Sequence, residues 1–373
     1  MTRAKRNRGF SLLELMVALT LGATVVSSVY FIGGASAKHF QEQQRIAQGQ
    51  LSLRIAMEQL RRDIARAGYL GAPTSTGACV APAGVIQAAD LINNPDIAQI
   101  PNGAAHGVQA DRLILVGNYL TSDSYFSAGI AAAGNQIFFQ PDWQGFRRSF
   151  HLTTAGFPFS PALFDNAFRS NRVLHIETLQ GNHLFVTITN RNAATRSVTF
   201  SPNITVGSAC LGGMGIGATV SPLSRIEYFI GNIGGNLNAA TAAAANATGA
   251  NSVQLIRREI DFGGAAIANS ERAVLEYVVD FNVDFIVDTA AAGAAPVLAR
   301  VNDAAAEAAG PEAVRAALVR LSVRTPQQDA RFPWVTRAGG APLTRYRANA
   351  SAPGASRVRT IEAEIFMPNL MDN

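Results

Sequence analysis

The chain has 373 residues, 48% of them hydrophobic and 15% charged, with a formal net charge of +5. That composition excludes a disordered chain and allows a sizeable core, in one large domain or two modest ones. Four of the positives, Arg3, Lys5, Arg6 and Arg8, fall within residues 1–9 beside no acid. The remainder is close to neutral overall, which argues against a general nucleic-acid surface and predicts no nucleic-acid partner.

Phe10 to Ile32 is an apolar run of 23 residues with one charge, Glu14. As a helix it spans about 34 Å, enough to cross a bilayer. The basic residues ahead of it stay in the cytoplasm and place the rest of the chain outside. A lone carboxylate near the bilayer core costs about 2.5–3.5 kcal/mol on insertion scales, so Glu14 needs a partner. A secretory signal has a shorter core of about 7–15 residues, although Ala35-Ser36-Ala37 offers a cleavage site. A plain anchor gives no reason for Glu14 or for the abrupt Gly9-Phe10 junction.

The basic leader, Gly9 and then FSLLELMVAL resemble the signal of type IV pilins and pseudopilins. The resemblance implies cleavage after Gly9 by prepilin peptidase and N-methylation of Phe10. It also implies that Glu14 pairs with the N-terminal amine of a neighbouring subunit, since a paired charge is tolerated in low dielectric where an isolated one is not. Read without the resemblance, Glu14 lies near enough to the helix end to reach the cytoplasmic interface. The sequence alone is compatible with both arrangements of Glu14.

Residues 38–67 contain no proline, and Ile46, Leu53, Met57, Leu60 and Ile64 form one apolar stripe on a continuing helix. The stripe suits packing on a sheet better than a coiled coil. Gly68 is positioned to cap the helix, and Gly33-Gly34 to loosen it at the membrane exit. LRRDIARAGYLG, residues 60–71, followed by Cys79, resembles the helix end of PilW-type minor pilins.

Beyond Gly71 the pattern becomes strand and loop. Strands are predicted at 112–117, 172–179, 183–190, 224–231, 253–260, 273–288, 317–325 and 360–368, with 172–179 and 183–190 joined by a QGN turn. Val319, Leu321 and Val323 alternate with Arg320, Ser322 and Arg324. If 317–325 pairs with 360–368, arginines face Glu362 and Glu364 across the ladder. The alanine-rich stretch 238–250 reads as a loop, 290–311 as a loop with a short helix near 302–309, and 339–356 as a loop. Tyr228, Arg257-Arg258 and Glu276-Tyr277-Val278-Val279-Asp280-Phe281 stand in the order seen in PilW-like and J-type pseudopilin proteins. Residues 72–223 carry no further motif of that group and read as a β-rich insertion.

The domains expected are a leader 1–9, a transmembrane helix 10–33, its amphipathic continuation 34–70, the insertion 71–223 and a pilin-like sheet domain 224–373. The fold expected is α+β: a long N-terminal helix packed on a largely antiparallel sheet. Cys79 and Cys210, an even count in an extracytoplasmic segment, are expected to form a disulfide, whereas an intracellular chain would keep both as thiols. The five histidines show no metal-ligand spacing, and GGMGIG at 212–217 has no register for a phosphate loop. No cofactor, no metal and no enzymatic activity are expected. The resemblance implies a minor pilin of the inner membrane and pilus, with other minor pilins, the major pilin and a PilY-type tip adhesin as partners. The alternatives are a J-type pseudopilin of a type II secretion system and a membrane-anchored periplasmic binding module.

Overall fold

A computed structural model describes residues 11–71, 78–80, 88–151, 158–204, 215–232, 253–261, 263–290, 295–301, 313–336 and 342–370. The chain forms two compact units, residues 1–51 and 52–373. Helix α1 spans Leu12–Ala65 and contributes to both.

In the first unit α1 runs through Gly33 and Gly34 without a break. The loosening expected there is not seen, since about 1 kcal/mol per interior glycine is too little to interrupt a long helix. In the second unit its last turns bury Leu53, Ala56, Met57, Leu60 and Ile64. Ile46, at the head of the predicted stripe, is half-buried.

The strands of the second unit form two sheets. The first runs through β1 (Ala78–Val80), β2 (Ala89–Ile92), β3 (Arg112–Gly117), β4 (Tyr125–Ile130), β5 (Gln136–Phe139), β6 (Val173–Glu177), β7 (His183–Asn192), β8 (Ser197–Ser201), β9 (Thr219–Gly231), β10 (Gln254–Ile260) and β11 (Arg272–Glu276). The second has the order β13 (Leu298–Val301), β12 (Val278–Asp288), β14 (Val314–Arg324), β16 (Ser356–Phe366) and β15 (Arg345–Tyr346). Every named strand pair is antiparallel except β1 with β7. The architecture is α+β, a helix end on antiparallel sheets.

β9 is the spine. Its first half pairs with β4 and β6, and its second half with β3 and β10. The division expected at 223/224 therefore falls inside one strand. A second core, in which Tyr125, Phe139, Phe146, Phe164, Phe168 and Phe200 pack among aliphatic side chains, lies on the β4–β8 side of it. The helices α3 (Gln144–Phe150) and α4 (Pro161–Ala167) bring Phe146, Phe164 and the adjoining Phe168, together with Phe150. A four-residue turn of helix, α2 (Gly103–His106), precedes β3. The larger core joins the α1 end to the inner faces of β3, β9, β10, β12, β14 and β16.

Several expectations change in detail. The single strand read at 273–288 is two, β11 and β12, in different sheets. Tyr277 stands between them at φ 57°, and the left-handed residue turns the chain from one sheet to the other. β13 and the two-residue β15 lie in stretches read as loops, too short to show alternation. β14 and β16 do pair, with Arg320 opposite Glu362, yet Arg320 bonds Asp280 of β12, its other neighbour, at 2.8 Å. The short helix expected at 302–309 and the loop at 238–250 lie outside the described residues.

Candidate functional site

The first turn of α1 explains part of Glu14. Ser11 Oγ accepts the Glu14 N–H at 3.2 Å, and Glu14 Oε2 accepts the Ser11 N–H at 3.4 Å. This is a capping box, in which two N–H groups that the helix leaves unpaired are satisfied reciprocally. The carboxylate also sits at the positive end of the helix dipole. The S-x-x-E pattern is plain in SLLE, and reading Glu14 only as a membrane charge overlooks it. Leu12–Gly34 is long and apolar enough to cross a membrane, with a mean hydropathy of 2.0, and its side chains are exposed. Thr20, Thr24 and Ser28, four residues apart, bond back to carbonyls of the preceding turn, so their hydroxyls are satisfied within the helix as lipid requires.

The other end of α1 is held by buried polar contacts. Asp63 Oδ2 accepts the Tyr228 hydroxyl and Arg257 Nε, each at 2.6 Å, and the Asp63 carbonyl accepts the Tyr119 hydroxyl at 2.9 Å. Tyr228 and Arg257 face each other across β9 and β10. Three sequence segments recognised separately, the helix end, the tyrosine strand and the arginine pair, thus meet at one carboxylate. Burial and then the Asp63 charge push both tyrosine hydroxyls well up. Burial opposes the Arg257 charge, but Asp63 and Tyr228 outweigh it and hold its pKa up. Arg258, next along β10, points to the other face and joins Glu227 and Glu271.

The carbonyls that end the helix find partners too. Asn369 Nδ2 donates to the carbonyls of Ala65 and Ala67 at 3.0 and 3.2 Å, and the Gly68 N–H donates to the Val116 carbonyl at 2.8 Å. His175 Nδ1 lies 2.9 Å from the Leu70 carbonyl and Nε2 lies 2.9 Å from His183 Nδ1. A carbonyl only accepts, so His175 carries its proton on Nδ1 and accepts at Nε2. Burial lowers its pKa to about 4. These groups are committed to one another. The site holds the helix to the sheet, and its groups form no nucleophile–base pair.

Gly9 and Phe10 lie outside the described residues, as does Cys210. Cys79 falls in β1, and its side chain is not described, so the expected disulfide cannot be placed. Among the described residues, no three His, Cys, Asp or Glu side chains converge as a metal would require.

Residues 4–30 match the family described as the prokaryotic N-terminal methylation motif. The chain therefore begins as pilins and pseudopilins do, and the motif with the apolar helix fits a membrane-anchored protein of the type IV pilin-like class. The motif implies processing by prepilin peptidase and assembly with other pilins. A type IV-like pilin from Thermus thermophilus aligns with 56% of this chain and 93% of its own at 13% identity, with a TM-score of 0.20, a likeness too slight to add to the fold described above. No curated protein matches the chain.

Proposed function

We propose that the protein is a non-enzymatic minor pilin of the PilW type. It is made with leader 1–9, cut after Gly9, methylated on Phe10 and held by residues 10–33 in the inner membrane with its C-terminal part in the periplasm. It then co-assembles with other minor pilins and the major pilin to prime or cap a type IV pilus, with a PilY-type adhesin as a tip partner. The observation that carries this reading is the methylation motif at residues 4–30, on a helix long and apolar enough to span the membrane. The polar seat of Asp63, Tyr228 and Arg257 supports it by joining the three PilW-like segments. The extent of residues 71–223 favours a pilus subunit over a J-type pseudopilin. A Cys79–Cys210 disulfide belongs to the same proposal.

The assembly claim is tested at Glu14. Pairing with a neighbour's amine has value only in the oligomer, whereas the capping box acts in the single chain. Glu14→Leu should insert normally, because the lone charge is unfavourable in lipid, yet strongly reduce the number of surface pili. Glu14→Asp should restore them in part. Ser11→Ala removes the cap, at about 1 kcal/mol of helix stability, but keeps the charge, and should leave piliation near normal. Normal pili with Glu14→Leu at normal membrane level would overturn the assembly role.

A further inference from the structure

The near-neutral balance of the chain beyond residue 9 conceals a segregation of charge. Residues 324–359 hold seven arginines, one aspartate and no lysine, a local net charge of +6 against +5 for the whole chain. β15 and β16 concentrate it. Arg345 stands opposite Arg357 in register. Arg345 and Arg347 flank the buried Tyr346, while Arg357 and Arg359 alternate with the buried Ser356 and Val358. Alternation therefore puts these four side chains on one face, with Arg345 also donating to the Pro333 carbonyl and Arg347 to the Ala350 carbonyl. Like charges directly opposite are destabilising. The Phe332 ring offsets part of that cost, with Arg345 4.2 Å and Arg357 4.4 Å from its centroid. Asp329, 3.8 Å from Arg357, is the acid within the segment. Arg331, Arg345, Arg347 and Arg359 make no ion pair among the described residues.

An open cleft of about 370 Å³ adjoins this row, lined in part by Gln327, Gln328 and Asn349. Row and cleft share backbone: the Thr325 N–H donates to the Arg357 carbonyl at 2.9 Å, and Ser356 Oγ to the Gln327 carbonyl at 3.3 Å.

We propose that this face binds an acidic polysaccharide, one carrying carboxylate or sulfate groups. Guanidinium forks match such oxyanions in bidentate geometry, as ammonium groups do not; the Gln328 amide, bonded to the Asn349, Ala352 and Gly354 carbonyls, shapes the wall of the cleft beside them. A single-stranded nucleic acid needs open aromatic faces on which to stack. Here guanidinium groups lie over the Phe332 ring, and Trp334 stands edge-on to His106 at 4.5 Å. A folded protein partner would want a large apolar anchor, and the exposed large apolar side chain described in this segment is Val335 alone.

The test uses the full chain in detergent micelles with heparin and polygalacturonate as probes, at about 0.15 M salt where weak surface attraction is screened. Heparin, polygalacturonate or both should bind. The exposed pair Arg331→Gln with Arg359→Gln should weaken binding about tenfold and flatten its salt dependence by nearly two counter-ions. Arg345→Gln, Arg347→Gln, Arg357→Gln and Arg359→Gln together should abolish binding; if that variant melts early, the exposed pair decides. Arg54→Gln, Arg61→Gln and Arg62→Gln, which remove three exposed helix cations, should change nothing. The proposal is overturned if neither probe binds, if the helix variant loses as much as the loop variants, or if single-stranded DNA of matched charge binds more tightly than both polysaccharides.

Discussion

Asp63 is the residue on which the end of α1 depends. Its carboxylate is the acceptor for a buried tyrosine and the counter-ion of Arg257, whose side chain is only 19% exposed. Removing one partner of such a pair leaves the other desolvated, which is far more costly than losing a surface contact. Asp63→Asn should lower the stability of the second unit by about 2–4 kcal/mol. Glu58→Gln, which removes a surface pair with Arg61, should cost less than about 0.5 kcal/mol. Chemical denaturation compares the two, and equal losses would show that the buried pair is not a keystone. His175 makes a prediction about pH. Burial first, with His183 adding to it, depresses its pKa to about 4, so between about 6.5 and 4 the unfolded chain takes up a proton that the native state refuses. Stability therefore falls as pH drops through that window, by about 3 kcal/mol at most. His175→Gln keeps a donor for Leu70 and should remove this share of the loss. An unchanged difference between pH 7.5 and 4.5 denaturation midpoints would contradict it.

At the scale of elements, the junction between α1 and the sheets is tight where glycine stands. Gly68 has φ +77°, and a Cβ there would lie 2.7 Å from Leu370 Cδ2. Gly107 is also left-handed, at φ +60°, but faces open space. Gly107→Ala should cost about 1 kcal/mol of backbone strain, and Gly68→Ala about 2–3 kcal/mol, strain plus contact. Melting of the two variants separates the effects; equal losses would mean that Leu370 yields freely. Elements were legible in the sequence where side chains alternate over a long enough span. β3 was read to the residue, and β6, β7, β10, β14 and β16 to within a few. The break at Tyr277 was not, because nothing in EYVVDF marks a left-handed tyrosine. α4 carries a signal in the sequence: Pro161 follows the cap Ser160, whose Oγ accepts the Leu163 N–H at 3.5 Å. β15 and β13 are too short for any periodicity and exist through their neighbours.

For the whole molecule, the N-terminal motif was legible because its chemistry is local: a junction, a glutamate and an apolar run lie within 27 matched residues. The seat of α1 was legible only as three separate segments, since Asp63 and Arg257 stand 194 residues apart and the ladder that joins them is tertiary. The excess of arginine in residues 324–359 can be counted in the sequence, but that Arg345 stands against Arg357 follows only from the pairing of β15 with β16. Processing and assembly as a pilin is tested most plainly by N-terminal and intact mass spectrometry of the protein from native membranes. The expected result is a mature chain beginning at N-methylated Phe10, with Cys79 and Cys210 unreactive to thiol labelling before reduction. A chain that begins at Met1 or at Lys38, with no methyl group on its first residue, would contradict it.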